Sequence, residues 1–328
     1  MKRSKHIRDI AYFISILILV LVLVFSGLQI LESTVLHQGD EQGDGFESKT
    51  IIRDGVEYFP RQDITTVLVM GIDKYGPVEE SDYYTNTGLA DMNMLLIFDE
   101  TKAVTNILHL NRDTMLEMPV LGLGGKVAGT YYGQLALSHT YGTGLRDSSE
   151  NTRNTISKFL YGVEIDYYVS LHMDAIAILN DAVGGVTVEV KEDFSDVDPT
   201  ISMGTVTLTG EQALNYIRTR KDVGDQLNSS RIERHKQYMD GFSEAFRAKQ
   251  ATGIEFILDV YERIRPYMVT DCSANALIGL MESFGDYRVN EVVTPEGENV
   301  LSEKYFEFYV DEEKLDALIL RLFYRPKG

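Results

Sequence analysis

Thr65–Asp73 reads TTVLVMGID. An unbroken β-branched and apolar run that stops at a glycine predicts a strand buried on both faces, followed by a turn. Two more such runs follow it, MNMLLIF at Met92–Phe98 and VTNILHL at Val104–Leu110. The polar Asp99–Lys102 between them predicts a hairpin turn. A strand apolar on both faces needs cover on both sides of its sheet.

Working outward, Asn151–Tyr161 has the spacing of an amphipathic helix and Tyr167–Leu171 that of a strand. Asp174–Ala182 predicts a helix closed by Gly184-Gly185, with a strand at Val186–Val190. Thr209-Gly-Glu-Gln212 has the spacing of a capping box and starts a helix through Tyr216. Ser229 or Ser230 can cap a long helix to Lys249, with Ile232, Met239, Phe242 and Phe246 on one face. Helices are then expected at Ile254–Tyr267, Ala274–Phe284 and Asp311–Phe323, and strands at Tyr287–Val293 and Tyr305–Val310. Strands alternating with helices place the chain in the α/β class, with a mixed central sheet between helical layers.

The N-terminus sets the compartment. Ile10–Leu31, IAYFISILILVLVLVFSGLQIL, is uncharged and mostly apolar. At about 1.5 Å per residue it reaches roughly 33 Å, enough for a hydrocarbon core of about 30 Å. A cleaved signal peptide would carry a shorter apolar region and a small-x-small site, and the run ends instead in Gln-Ile-Leu-Glu. A single transmembrane helix is therefore expected. Lys2, Arg3, Lys5 and Arg8 against Asp9 put residues 1–9 in the cytoplasm and the remainder outside, a single-pass cell-membrane protein. Residues 32–63, with HQGDEQGDGFESK at their centre, read as a polar stalk.

The 328 residues carry 31 Lys+Arg and 50 Asp+Glu, a net charge of −19. That sign excludes a duplex nucleic acid as partner. One cysteine, Cys272, excludes an internal disulfide and paired-cysteine metal knuckles. With 44% hydrophobic residues the chain has enough apolar surface to fold rather than remain disordered. There is no G-x-S-x-G elbow, H-E-x-x-H helix or Walker loop, so serine hydrolase, zinc protease and nucleotide kinase chemistry lack their motifs.

Against the acidic background, residues 218–236 concentrate Arg218, Arg220, Lys221, Arg231, Arg234 and Lys236. In an extended stretch Arg218 and Arg220 point to one side. On the helix that follows, Arg231, Arg234 and His235 fall at i, i+3 and i+4 on one face, with Arg231 in the first turn where free amides favour an anion. Guanidinium forks match phosphate oxygens two at a time. The same cluster would equally serve as surface salt bridges to the excess acid. Asp73, Asp91 and Arg112-Asp113 fall at predicted strand ends, where sites of α/β sheets form. Two such carboxylates could share a hard cation such as Mg²⁺, or act only as turn and cap residues. Of the histidines, His139 and His235 are the functional candidates; His109 and His172 sit in apolar strands and are expected to pack there.

In order, VLVMGID, ADMNMLLIF, VTNILHLNRDT, QLALSHTYG, GVEIDYYVSL, LNDAVGGVTVEV, LTGEQALNYIRTR and SSRIERHKQ resemble the LytR-CpsA-Psr family of envelope proteins, from residue 64 to about 240. The resemblance implies an α/β/α sandwich, with a catalytic core at 64–250 and an extension at 251–328 that completes the extracytoplasmic domain. It implies a phosphotransferase that moves a glycopolymer, of teichoic acid or capsular polysaccharide type, from an undecaprenyl-pyrophosphate carrier to peptidoglycan. Carried over by motif, Asp73 and Asp91 would hold Mg²⁺, and Arg112, Arg218, Arg220 and Arg231, with His235, would bind pyrophosphate oxygens. Asp91 and Arg112 would be catalytic, Asp91 taking the proton of the acceptor hydroxyl. The chain departs from the family pattern where the usual Arg-Ser is Leu89-Ala90, where the usual Lys-x-Asn is Gln134-Leu135-Ala136, and where the usual glutamine is His235. A non-catalytic polyprenyl-pyrophosphate binder or a pyrophosphatase would use the same arginines. A membrane-anchored transcription regulator, suggested by the family's historical name, is opposed by a nine-residue cytoplasmic end and an acidic outer domain.

Overall fold

The computed structural model describes residues 50–219, 254–273, 287–302 and 305–327, with positions 223, 234, 237–238, 240–242, 244–246, 248–249, 276, 279–280 and 283–284 between them. The expected membrane anchor at 10–31, the cytoplasmic stub and residues 32–49 of the stalk lie outside the described residues. So do most of the expected helix from Ser229 or Ser230 to Lys249 and much of that at Ala274–Phe284. No helix among the described residues is long and apolar enough to cross a membrane.

The first segments in chain order are strands β1 (Ile51–Arg53) and β2 (Val56–Pro60). They fall at the end of the stretch expected as stalk, so the stalk reading is corrected there. Their side chains are mostly half-buried or exposed, and no alternating pattern marks them in the sequence. β3 (Ile64–Ile72), β4 (Ala90–Asp99) and β5 (Val104–Leu110) are the three runs read as buried strands. β6 (Met115–Leu121) and β7 (Val127–Gln134) form a hairpin that the sequence did not announce, because most of β7 is exposed on both faces. Helix α1 (Arg146–Phe159) begins five residues before its apolar periodicity does. Its buried face is built partly from small polar residues, Ser148, Ser149, Thr152 and Thr155, which a hydrophobic count overlooks. β8 (Tyr167–His172) follows.

Next come α2 (Asp174–Ala182), β9 (Val186–Val190), β10 (Gly204–Leu208), α3 (Gly210–Arg218), α4 (Ile254–Ile264) and β11 (Met268–Thr270). The chain ends with β12 (Arg288–Val293), β13 (Gly297–Leu301), β14 (Phe306–Val310), α5 (Glu312–Phe323) and β15 (Tyr324–Pro326).

The described residues fall into two compact units. One runs up to His172 and includes Met268–Cys272 and the residues from Asp286 onward. Its six-stranded sheet has the order β11-β8-β3-β4-β5-β12. β3/β4, β4/β5 and β8/β11 pair antiparallel, while β3/β8 and β5/β12 pair parallel, so the sheet is mixed as expected. Leu68, Met70, Ile72, Leu95, Ile97, Leu108 and Leu110 line one face and pack with Ile156 and Leu160 near the end of α1 and with Leu315, Ile319 and Leu322 of α5. Val67, Val69, Met94, Leu96 and Ile107, on the opposite face, are buried too. The residues from Asp286 onward are thus integral to this unit. They supply an edge strand through β12 and helical cover through α5, which Asp311 caps by accepting from the Lys314 amide. Ile319→Ala is expected to destabilise this unit by about 2–5 kcal/mol in urea unfolding, the cost of an unfilled core cavity.

The other unit comprises Met173–Tyr267 and Ser273–Gly285. α2 ends where Gly184 and Gly185 take left-handed φ values of 89° and 93°, open to glycine alone without strain. The Thr209–Gln212 capping box forms as read and starts α3. β9 and β10 pair antiparallel, and Asn180 donates to the Leu208 carbonyl at 2.8 Å. Phe194 stacks on Tyr216, and Phe242 and Phe246, from the expected apolar face, are buried.

Candidate functional site

β3 and β4 run in register from Ile64 to Gly71, where the ladder slips: Gly71 faces Met92, but Ile72 faces Ala90. Asp91 is the extra residue of this bulge. Such a bulge breaks the pairing and re-aims a side chain. The Leu89 carbonyl accepts from both the Asp73 amide, at 2.8 Å, and the Asp91 amide, at 3.0 Å. Two carboxyl-bearing residues 18 positions apart therefore leave the sheet from one point.

Arg112 lies two residues beyond the end of β5. Its guanidinium forms an ion pair with Asp91 and lies 3.6 Å from Asp113, with the Arg112 and Asp91 side chains 25% and 21% exposed. Solvent therefore reaches both groups, and so can a ligand. The segment after β7 holds this corner in place. The Leu135 and Ala136 amides donate to the Thr114 and Arg112 carbonyls at 2.8 and 3.0 Å, and the Gln134 side-chain amide donates to Asp113 and to the Phe306 carbonyl, both at 2.8 Å. Three of the family departures thus have places: the Leu89 carbonyl joins Asp73 to Asp91, Ala90 is buried in the β3–β4 ladder, and Gln134 ties Asp113 to β14.

Behind the corner, Asn86 gathers the approach to Asp91. Its side chain donates to the His139 and Gly142 carbonyls and to Ser148 Oγ, while its Oδ1 accepts from the Gly88 amide. Gly88 has no room for a side chain, since a Cβ would lie 2.8 Å from Ile72 Cγ2. His139 is buried and burial pushes its imidazole down to about 4, so the ring is neutral at neutral pH. His109, in β5, is likewise lowered by burial and packs in the sheet as expected.

The structure thus pairs Asp91 with Arg112 and sets the Asp73 backbone on the same Leu89 carbonyl as that of Asp91. Arg218 is in the other unit, exposed at the last turn of α3. Arg220, Arg231 and His235 lie outside the described residues. Arg234 decides one open alternative. It is buried, ion-paired with Glu192, donates to the Thr219 carbonyl at 2.6 Å and lies over the Phe194 ring. This arginine makes a salt bridge, but a buried one rather than the surface pair expected. Sequence reasoning missed Asn86 and the role of His172, which donates from Nδ1 to the Gly76 carbonyl. Both act on backbone carbonyls at least 53 residues away. The length of the loop between Asp73 and Asp91 was the one available signal.

The donor chemistry fits a hard divalent cation. Asp73 and Asp91 supply oxygen, Arg112 already engages one Asp91 oxygen, and most of an octahedral shell would be left to water and phosphate, the habit of Mg²⁺. Among the described residues no group of three or more His, Cys, Asp or Glu gathers as an all-protein cage.

The LytR_cpsA_psr family model matches residues 33–322. A polyisoprenyl-teichoic acid–peptidoglycan teichoic acid transferase TagU of Halalkalibacterium halodurans is 27% identical over 256 residues, 77% of this chain and 73% of that protein. The TagT of the same description from Bacillus subtilis is 24% identical over 270 residues, 80% and 77% of the two chains. Among solved structures, B. subtilis TagV superimposes with a TM-score of 0.56 at 21% identity, covering 80% of this chain and 96% of that one. TagT bound to LI-WTA gives 0.54 at 22%, covering 80% and 90%. These likenesses establish the mixed α/β fold.

Proposed function

The chain belongs to the LytR_cpsA_psr family, and on that premise we propose that it is a Mg²⁺-dependent phosphotransferase attaching a glycopolymer to peptidoglycan. The polymer, of teichoic acid or capsular polysaccharide type, would come from an undecaprenyl-pyrophosphate carrier. The observation that carries this reading is the solvent-reached Arg112–Asp91 pair beside Asp73 at the end of the sheet. The two matched relatives named as teichoic acid transferases support it. The three-layer α/β/α sandwich belongs to the same reading, supported by burial of both faces of the sheet.

Phosphoryl transfer needs positioning and charge neutralisation more than covalent help from the protein. Arg112 would place its fork on pyrophosphate oxygens, with Arg218, Arg220, Arg231 and His235 as the further donors the family pattern implies. Asp73 and Asp91 would hold Mg²⁺, which when bound neutralises charge on the same oxygens. Asp91 would accept the proton of the acceptor hydroxyl as its oxygen bonds to the sugar-side phosphorus. The bond from that phosphorus to the bridging oxygen breaks, and polyprenyl phosphate leaves with the bridging oxygen. The single-pass anchor at 10–31, with the cytoplasmic end positive, would keep this chemistry at the outer face of the cell membrane.

The test is a transfer assay with lipid-pyrophosphate-linked sugar, peptidoglycan fragments and Mg²⁺. A new sugar–glycan phosphodiester is the expected product. Lipid phosphate released without that bond would identify a pyrophosphatase, and bound but unreacted donor a carrier.

A further inference from the structure

The segment joining Asp73 to Asp91 is held near both ends by a buried histidine. His172, the last residue of β8 and 4% exposed, is 2.8 Å through Nδ1 from the Gly76 carbonyl. His139, 2% exposed, is 2.9 Å through Nδ1 from the Gly88 carbonyl. A carbonyl oxygen only accepts, so in both rings Nδ1 carries a proton. Gly76 lies three residues after Asp73, and Gly88 three before Asp91. The segment between them docks by further polar bonds on the stretch that carries His139: the Ser81 amide on the Thr143 carbonyl, the Asn86 amide on the Thr140 carbonyl, and the Asn86 side chain on the His139 and Gly142 carbonyls.

The His139 imidazole is poorly explained as packing alone. His139 Nε2 is buried with no hydrogen-bond partner among the described residues, a cost an apolar side chain of similar size would avoid. What the ring contributes is one directed N–H at the carbonyl of a glycine that admits no side chain.

We propose that His139 and His172 are positioning residues that fix the two ends of the 74–90 segment, and with them the spacing and aim of the Asp73 and Asp91 carboxylates. The link to transfer rests on the phosphotransferase reading; the clamp does not. Groups that orient those holding a metal or substrate typically matter by about 10–100-fold without touching either.

The test compares His139→Leu and His172→Leu with His139→Asn and His172→Asn in the whole chain. Asparagine keeps a donor near the place of Nδ1. Amide hydrogen exchange over residues 74–90, thermal melting and transfer rate are measured together. The leucine variants are expected to raise exchange in that segment by at least about tenfold and to lower transfer by about 10–100-fold. Their melting temperatures should stay close to the parent's, and the asparagine variants should recover most of both losses. Exchange unchanged in the leucine variants, or transfer and melting temperature falling in step without rescue by asparagine, would overturn the proposal. If the parent transfers nothing, the phosphotransferase reading has failed, and the exchange data still decide whether the clamp exists.

Discussion

Replacing Arg112 by alanine is expected to slow transfer by about 10²–10³-fold, the scale set by removing one preorganised donor from developing charge. The fold should survive. The Arg112 backbone carbonyl, which accepts from Ala136, remains in the variant, and the side chain is part-exposed rather than core. What disappears is the positive charge between Asp91 and Asp113. A pyrophosphate approaching that corner would then meet its carboxylates without the guanidinium that offsets them. Single-turnover transfer and a thermal melt, run on the same preparation, separate the two effects. A normal rate would remove Arg112 from the site; a lost rate with a collapsed melt would make it a structural residue. Lysine should restore little, because a point charge does not reproduce a planar fork.

The second large effect is on stability, at Arg61. Its side chain, 7% exposed, lies 2.8 Å from Asp99, whose side chain is fully buried at the end of β4. It also pairs with Asp63, and its amide donates to the Phe323 carbonyl. Burial pushes the Asp99 carboxyl up, but Arg61 and the Lys102 amide outweigh it and hold the group below its usual range. Arg61→Ala would leave that charge buried without its main partner, an expected loss of about 3–5 kcal/mol. Because the folded carboxyl titrates below its unfolded value, its contribution is complete above about pH 4 and fades as pH falls through the folded value. Urea unfolding at pH 7 and pH 3 should therefore show parent and variant drawing closer at the lower pH. A gap that stays constant would assign the stabilisation to something other than this pair.

Much of the sheet could be read from the chain because β3, β4 and β5 are buried on both faces and therefore written in apolar residues. α2 was legible for a different reason, the glycine pair that stops it, and α3 through its capping box. The strands that escaped, β1, β2, β6, β7, β10, β11, β13 and β15, leave most of their side chains half-buried or exposed, so burial leaves little mark on their composition. At the site, Asp73, Asp91 and Arg112 were legible as polar residues at strand ends. The bulge that re-aims Asp91 was not, since it is a property of pairing between two strands. Arg234 misled by its neighbours in sequence; its partner Glu192 is 42 residues away. His172 was read as a packed strand residue, and it is one, but its Nδ1 contact follows from where the chain brings Gly76.

The small sheet β1-β2-β15 has a topological consequence. Ile51 and Pro326 flank Tyr58 from opposite sides, so these two residues lie about two strand spacings apart, roughly 10 Å. A linker of a few residues could join them, and the backbone could be reopened at the exposed tip of the β6–β7 hairpin without breaking any strand of the central sheet. The order in which this unit's elements are strung together is therefore separable from the arrangement that holds Asp73, Asp91 and Arg112.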